Sequence, residues 1–177
     1  EKADCCIPVT KMGKKILKDF HVSRSENVYL GVEHLECYKE EGLSKSKVFG
    51  SKVKDTDFVF MVVGKNTERK RLDFSVQAFF NFLTKYILPK DQEKFKLFVH
   101  TDVSSTWNSG TDLLVMTQKL GIQNNVIFSK CFLEGRELNR RELSERYAVC
   151  DCYVGLSFGE GFGYGYAEAI SEGTPCI

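Results

Sequence analysis

A glycine-rich turn between an apolar run and a helix-forming run is the feature that most limits what this chain can fold into. Residues 157–177 read SFGEGFGYGYAEAISEGTPCI. The run before them, residues 152–156, is short and β-prone, and residues 166–172 are good helix formers followed by Gly173. The predicted local order is therefore strand, glycine-rich loop, helix.

The residue types in this turn suit a nucleotide-sugar. Gly161, Gly163 and Gly165 remove Cβ atoms where a ligand would approach the backbone. The helix that they open presents unpaired N–H groups to a phosphate or a sugar oxygen. Glu160 and Glu168 lie around the turn with seven residues between them, and their carboxylates can accept hydrogen bonds from hydroxyls.

The rest of the chain alternates between strand and helix patterns. Strands are predicted at residues 57–63, 95–100, 126–129 and 152–156, and helices from residue 72, at 112–120, at 141–149 and from about 164 toward 173. One helical face is marked by Leu72, Val76, Phe79, Phe80 and Leu83. Such alternation predicts an α/β, Rossmann-like parallel sheet with helices on both faces.

In sheets of this kind ligands lie at the carboxyl ends of the strands. The loops that would emerge there begin at Gly64, His100, Ser129 and Ser157. These loops are the predicted walls of a binding site.

The same residues carry a resemblance to a known family. The pattern E-G-F-G-x-x-x-x-E-A followed by E-G-T-P resembles the donor-site signature of glycosyltransferase family 4, whose members are retaining enzymes of the GT-B fold. Residues 58–79, 120–132 and 143–157 resemble further segments of that family's second domain, in the same order. The resemblance covers roughly residues 27–177 and implies the C-terminal half of a GT-B glycosyltransferase.

The resemblance also implies roles for single residues. In that family a Gly-Arg and a later Lys hold the donor diphosphate, and here those positions are Gly64, Lys65 and Lys70. Lys65 replaces an Arg that would bind phosphate bidentately, and Arg69 lies close enough in sequence to compensate. Glu160 would bind the transferred sugar.

Further implied contacts lie in and around the glycine-rich turn. Glu168 would bind the ribose, while Phe162 and Gly163 would supply backbone N–H groups. Gly165 stands where the family commonly has Pro, and Tyr164 and Tyr166 are unusual for it, which predicts a looser loop.

The full set of predicted site residues follows from these assignments. Lys65, Lys70 and Glu160 are the predicted catalytic residues. The predicted donor-binding residues are Gly64, Lys65, Arg69, Lys70, His100, Lys130, Cys131, Phe132, Glu160, Gly161, Phe162, Gly163, Tyr164 and Glu168. No metal and no cofactor besides the donor substrate are predicted.

The resemblance implies transfer of a hexose from GDP-mannose or a UDP-hexose to an acceptor hydroxyl, with retention and without a metal ion. A fragment that binds nucleotide-sugar without catalysis is an alternative. A dinucleotide-binding oxidoreductase is another, although Gly161, Gly163 and Gly165 do not have Rossmann spacing. A glycoside hydrolase would need Glu160 and Glu168 converging on one bond.

Three segments are predicted along the chain. Residues 1–26 would be a remnant of an N-terminal acceptor-binding domain, 27–56 an interdomain linker and 57–177 the donor-binding domain. The Lys-rich run 40–54 is predicted to be mobile. Residues 174–177 would begin a further strand, so the sequence predicts a domain that is incomplete at both ends.

Composition limits the partners and the compartment. The formal charge is +1, from 25 basic and 24 acidic side chains, which predicts no binding to nucleic acid. No run approaches the roughly 18 apolar residues of a membrane span, and a cytoplasmic protein is predicted. The 7 cysteines lack zinc spacing and are predicted to be mostly reduced. The expected partners are the donor, a glycan, protein or lipid acceptor, and a second copy in a homodimer.

Overall fold

A parallel sheet forms the centre of the molecule. The computed structural model describes residues 5–22, 24–103, 110–129 and 137–177. Within them the strands are β1 (Phe58–Val63), β2 (Phe95–His100), β3 (Val126–Phe128) and β4 (Cys152–Tyr153). Their order is β3-β2-β1-β4, and every neighbouring pair is parallel. The predicted Rossmann-like α/β fold is confirmed.

Helices connect the strands at close to the predicted positions. They are α1 (Lys11–Asp19), α2 (Lys45–Phe49), α3 (Leu72–Tyr86), α4 (Leu113–Lys119), α5 (Arg140–Val149) and α6 (Tyr164–Ser171). Short 3₁₀ helices span Cys37–Lys39, Glu68–Lys70 and Pro89–Lys94. Asp112 and Asn139 cap α4 and α5 by accepting hydrogen bonds from backbone N–H groups, which explains why these helices begin where they do.

Two separate hydrophobic clusters cover the two faces of the sheet. Because side chains alternate along a strand, Val62 of β1 faces one cluster while Val59 and Met61 face the other. The first cluster contains Leu72, Val76, Phe79 and Leu83, the buried face of α3. Each of these apolar side chains stabilises the fold by roughly 1.5–3 kcal/mol. The second cluster packs α2, α5 and α6 onto the opposite face.

The edge beyond β4 extends the sheet. Tyr153 pairs in parallel with Cys176, and the N–H of Ile177 donates to the Tyr153 carbonyl at 2.9 Å. Residues 174–177 thus follow the direction of a further strand, as the sequence predicts. Strand β4 is shorter than predicted, although Val154 N still donates to Met61 O at 2.8 Å.

The run of residues 40–54, which the sequence predicts to be mobile, is instead packed onto the domain in its second half. Residues 45–49 form α2, and Phe49 and Val53 are buried in the second cluster. Lys45 Nζ lies 2.6 Å from Asp151 Oδ2 and 2.7 Å from the carbonyl oxygen of Asp57. Apolar burial and this ion pair hold the segment to the domain, so the prediction that this part of the run is mobile is wrong. The division at residues 26 and 56 stays a prediction.

Two further properties concern the described residues as a whole. Within these ranges, no helix has both the length and the apolar character needed to cross a membrane. The six cysteines among them are all free thiols.

Candidate donor-binding site

Two loops meet at the carboxyl edge of the sheet. The first, residues 64–71, leaves β1, and the second, residues 157–163, leaves the β4 segment. Gly64 N donates to the carbonyl of His100 at 3.1 Å, and Phe158 N donates to the carbonyl of Arg69 at 2.9 Å. The backbone therefore brings together residues that are about 90 positions apart in sequence.

Glu160 is the centre of a charged cluster formed by these loops. Lys70 Nζ and Ser157 Oγ each lie 2.6 Å from Glu160 Oε1, and Arg69 Nη1 lies 3.3 Å from Oε2. Arg69 also donates to the carbonyl of Gly159. Partial burial raises the pKa of Glu160, but the bonds from Lys70, Ser157 and Arg69 outweigh it and hold the pKa below its usual value. Glu160 is therefore a carboxylate at neutral pH.

The glycine-rich turn leads directly into α6. Gly163 is the N-cap residue and has φ of 87°, a left-handed conformation that favours glycine. The rings of Phe162 and Tyr164 pack edge to face at 5.2 Å beside it. The first turn of α6 thus directs its N–H groups toward the same edge of the sheet as the Glu160 cluster.

Glu168 lies about one turn into α6, in a different environment. Its Oε2 accepts a hydrogen bond from the Tyr147 hydroxyl at 3.1 Å. Burial raises the pKa of Glu168, and the bond from Tyr147 and the charge of Arg140 offset this only in part. This carboxyl is desolvated, whereas Glu160 is surrounded by cations.

Close packing explains the glycine at position 165. Tyr153 packs edge to face against Tyr147 at 5.8 Å and against Tyr166 at 5.2 Å, and the Tyr166 hydroxyl donates to the Gly155 carbonyl. A Cβ on Gly165 would lie 2.2 Å from the Tyr153 hydroxyl oxygen. Gly165 therefore makes room for a tyrosine cluster, rather than loosening the loop as the sequence predicts.

An open cleft lies over the charged cluster and the turn. It encloses about 330 Å³. Its lining residues are Val9, Leu30, Lys70, Glu160, Gly161, Phe162, Gly163, Tyr164 and Gly165. Most of the predicted donor-binding residues of the turn thus share one concave surface.

Two other predicted residues lie at the same edge of the sheet. Lys65 is exposed, and among the residues described here it forms no ion pair. His100 ends β2 and is partly buried; burial and the charge of Arg146 lower its pKa to about 4, so its imidazole is neutral at physiological pH. Lys130, Cys131 and Phe132 lie outside the described residues.

The sequence analysis gave no role to two residues of the site, Ser157 and Tyr147. Ser157 precedes Glu160 by three positions inside the quoted motif, and this spacing is a signal that could have been used. Tyr147 lies on α5, and no local pattern connects it with Glu168 on α6. Only the packing of the two helices brings its hydroxyl to the carboxylate.

The structure describes no cluster of metal-ligating side chains. Within residues 5–22, 24–103, 110–129 and 137–177, no group of three or more His, Cys, Asp or Glu side chains is placed to hold a metal ion. The charged side chains that line the cleft are Lys70 and Glu160, and Arg69 pairs with Glu160.

Comparison with known families identifies the family of this chain. The family model described as "Glycosyl transferases group 1" matches residues 44–177. The chain belongs to this family. The match begins just before α2, which agrees with the packing of that helix onto the domain. No curated protein sequence matches the chain.

Solved structures with the same fold come from GT-B glycosyltransferases. Sucrose-phosphate synthase from Thermosynechococcus elongatus superposes with a TM-score of 0.76 at 18% identity, covering 100% of this chain and 41% of that protein. Anabaena HepE in complex with UDP gives 0.72 at 17% identity, covering 98% and 44%. The pneumococcal O-GlcNAc transferase GtfA, with UDP and GlcNAc, gives 0.64 at 18%, covering 99% and 30%.

These coverages show that the chain spans less than half the length of each of the three proteins. The likeness identifies the fold as that of a GT-B C-terminal Rossmann-like domain. Membership of the glycosyltransferase family also decides against the oxidoreductase and glycoside hydrolase alternatives.

Proposed function

We propose that this chain is the donor-binding part of a retaining glycosyltransferase that transfers a hexose from a UDP-hexose or GDP-mannose to an acceptor hydroxyl without a metal ion. The observation that carries the proposal is the cluster in which Lys70 and Arg69 meet Glu160 beneath the glycine-rich turn. It combines cations for a diphosphate with a carboxylate for sugar hydroxyls on one cleft.

Charge balance favours a diphosphate at this position. The segment of residues 65–70 carries three cationic side chains, Lys65, Arg69 and Lys70, against one acidic side chain, Glu68, and two of these cations, Arg69 and Lys70, pair with the carboxylate of Glu160. A bound diphosphate would compete with Glu160 for Lys70 and free that carboxylate to accept bonds from the sugar. The exposed Lys65 would add a second cation.

The residues then have distinct roles in transfer. The bond between the sugar and the diphosphate breaks, the acceptor oxygen bonds to the sugar from the same face, and the leaving diphosphate takes both the electron pair of the broken bond and the proton of the acceptor hydroxyl. Lys65 and Lys70 stabilise the charge that develops on it, in place of a metal. Glu160 orients the sugar and Glu168 the ribose, so catalysis rests on positioning and charge, and no side chain acts as nucleophile.

The neighbours with bound ligands support a uridine nucleotide among the candidate donors. HepE was solved with UDP and with UDP-glucose, and GtfA with UDP and GlcNAc. Their folds superpose on this chain over 98% or more of its length. A UDP-sugar is thus the first donor to test.

Isothermal titration of the chain with UDP-glucose, UDP-N-acetylglucosamine, GDP-mannose and NAD, without added metal, tests the proposal. We expect micromolar binding of one nucleotide-sugar and none of NAD. Binding of NAD alone would contradict the proposal. Silence from all four would contradict the claim that this chain alone forms the donor site.

A further inference from the structure

We infer that Tyr147 is a positioning residue that orients Glu168 to receive the ribose of the donor nucleotide. The inference rests on the proposed function, in which Glu168 is the ribose ligand. It adds a residue on a different helix, outside the glycine motif, whose hydroxyl lies 3.1 Å from Glu168 Oε2.

Burial and contacts to both its ring and its backbone hold Tyr147 in place. Its side chain is almost completely buried, with 1% of the residue exposed. Tyr153 packs edge to face against its ring, and its carbonyl accepts hydrogen bonds from Thr174 Oγ1 and Cys150 Sγ. A ring held in this way cannot follow a moving carboxylate, so the carboxylate must align with the hydroxyl.

The direction of this hydrogen bond is also fixed. Burial, together with the charge of Glu168, raises the pKa of Tyr147 well above its usual value, so the hydroxyl keeps its proton and acts as the donor. One lone pair of Glu168 Oε2 is used by this bond. The remaining lone pairs of the carboxylate then point in set directions and can accept bonds from two ribose hydroxyls.

Without the tyrosine hydroxyl, Glu168 would have to order its own side chain when the nucleotide binds. A free Glu side chain has several rotatable bonds, and restricting them on binding opposes association. The bond from Tyr147 supplies that ordering before the ligand arrives. Its effect should therefore appear only with ligands that carry ribose hydroxyls.

The test measures discrimination between ribose and dideoxyribose. UDP and GDP are titrated into the full chain beside their 2′,3′-dideoxy counterparts, and the ratio of the two dissociation constants is taken for the nucleotide that binds. We expect Tyr147→Phe to weaken ribonucleotide binding roughly five-fold and to leave dideoxynucleotide binding unchanged, the effect of about one hydrogen bond. The ratio should therefore fall by the same factor.

Tyr153→Phe is the matched control. It removes a hydroxyl from the same buried tyrosine cluster, but the hydroxyl it removes is not the one bonded to Glu168. The discrimination ratio should stay at its wild-type value in Tyr153→Phe. In a Glu168→Ala background, Tyr147→Phe should change the ratio no further, because the two residues act through one bond.

The pH dependence of ribonucleotide binding provides a second measurement, which loss of packing would not change. The hydrogen bond from Tyr147 lowers the pKa of Glu168, and so does the charge of Arg140. Removing the hydroxyl should raise this pKa further, so ribonucleotide binding should be lost at a higher pH on acidification.

The possible results distinguish failure of the inference about Tyr147 from failure of the proposed function. A wild-type ratio in Tyr147→Phe would overturn the inference, and so would an equal loss for ribo- and dideoxynucleotides, which would indicate general damage. If the wild-type chain binds neither UDP nor GDP, the proposed function itself fails, and the inference with it. A reduced ratio in Tyr147→Phe alone supports both.

Discussion

The two glutamates of the glycine motif are held in opposite ways, although seven residues separate them in sequence. Glu160 is surrounded by Lys70, Arg69 and Ser157, and its pKa lies below the usual value. Glu168 is desolvated, touches the Tyr147 hydroxyl, and has a raised pKa. One carboxylate is governed by charge and the other by burial, which suits contact with a phosphorylated sugar in the first case and with a neutral ribose in the second.

The largest effect is expected from substitutions that test the two ends of the ligand, the diphosphate assigned to Lys70 and the ribose assigned to Glu168. Lys70→Ala should weaken binding of UDP, or of GDP if that is the nucleotide bound, by about ten-fold or more, since charge-assisted bonds contribute about 1.5–3 kcal/mol. The effect on UMP or GMP should be smaller, because Lys70 is assigned to the diphosphate. Glu168→Ala should weaken diphosphate and monophosphate equally, because both carry the ribose.

Isothermal titration of each of the two variants with the diphosphate and with the monophosphate measures the four dissociation constants. Lys85→Ala is the control, because it removes an exposed lysine in the last turn of α3, away from the site. Unchanged constants for both site variants would refute the roles assigned to Lys70 and Glu168.

A second prediction concerns the packing that supports the Glu168 end. Gly165→Ala should destabilise the fold by about 1–3 kcal/mol, because the added Cβ would meet the Tyr153 hydroxyl and that ring is confined between Tyr147 and Tyr166. Gly161→Ala is the control, since a Cβ there meets no atom within 4 Å. Urea unfolding of both variants tests this, and equal stability would show that the tyrosine cluster can rearrange.

A smaller effect, below about 1 kcal/mol, is expected from pH. The lowered pKa of Glu160 means that its contribution to stability is present above the unfolded pKa and is lost as pH falls through the folded value. The raised pKa of Glu168 has the opposite sign, because stability falls as pH rises from the unfolded pKa through the folded one.

Substitution by Gln removes each contribution and exposes its sign. Relative to the wild type, Glu160→Gln should be less stable at pH 7 than at pH 4, and Glu168→Gln should be more stable at pH 7 than at pH 4. Urea unfolding at both pH values measures the differences. The same sign for both variants would remove the contrast between the two glutamates.

The smallest effect is expected from chelation. If lysines neutralise the diphosphate, adding EDTA to the titration should leave the dissociation constant of the nucleotide-sugar unchanged. A requirement for Mg²⁺ or Mn²⁺ would argue against the lysine roles.

Local sequence predicted most of the architecture. Helix α3 and strand β2 lie where periodicity and apolar runs place them, because burial on one or both faces leaves a repeating pattern. Helix α2 was missed, because its Lys-rich sequence resembles a linker and the contacts that hold it, the burial of Phe49 and the Lys45–Asp151 ion pair, are made to distant parts of the chain. Strand β4 was overextended, since apolar residues continue past the point where regular strand geometry ends.

For the site, the sequence indicated the residue types and their order along the chain. The glycine turn identified Glu160 and Glu168 as residues of interest, because such a turn between a strand and a helix has few geometries, and the resemblance to glycosyltransferase family 4 identified Lys70. It could not show that Lys70 and Glu160 pair, which depends on two loops from adjacent parallel strands meeting at one edge.

The sequence by itself thus determined the α/β class, the strand and helix order, and the glycine turn with its two carboxylates, since these depend on local backbone preferences and short-range periodicity. The tertiary structure alone decided which groups surround each carboxylate. Tyr147, Arg69 and Lys70 reach Glu168 and Glu160 from other elements of the chain, and the pKa of a carboxyl depends on burial and neighbouring charges, which exist only once those elements have packed together.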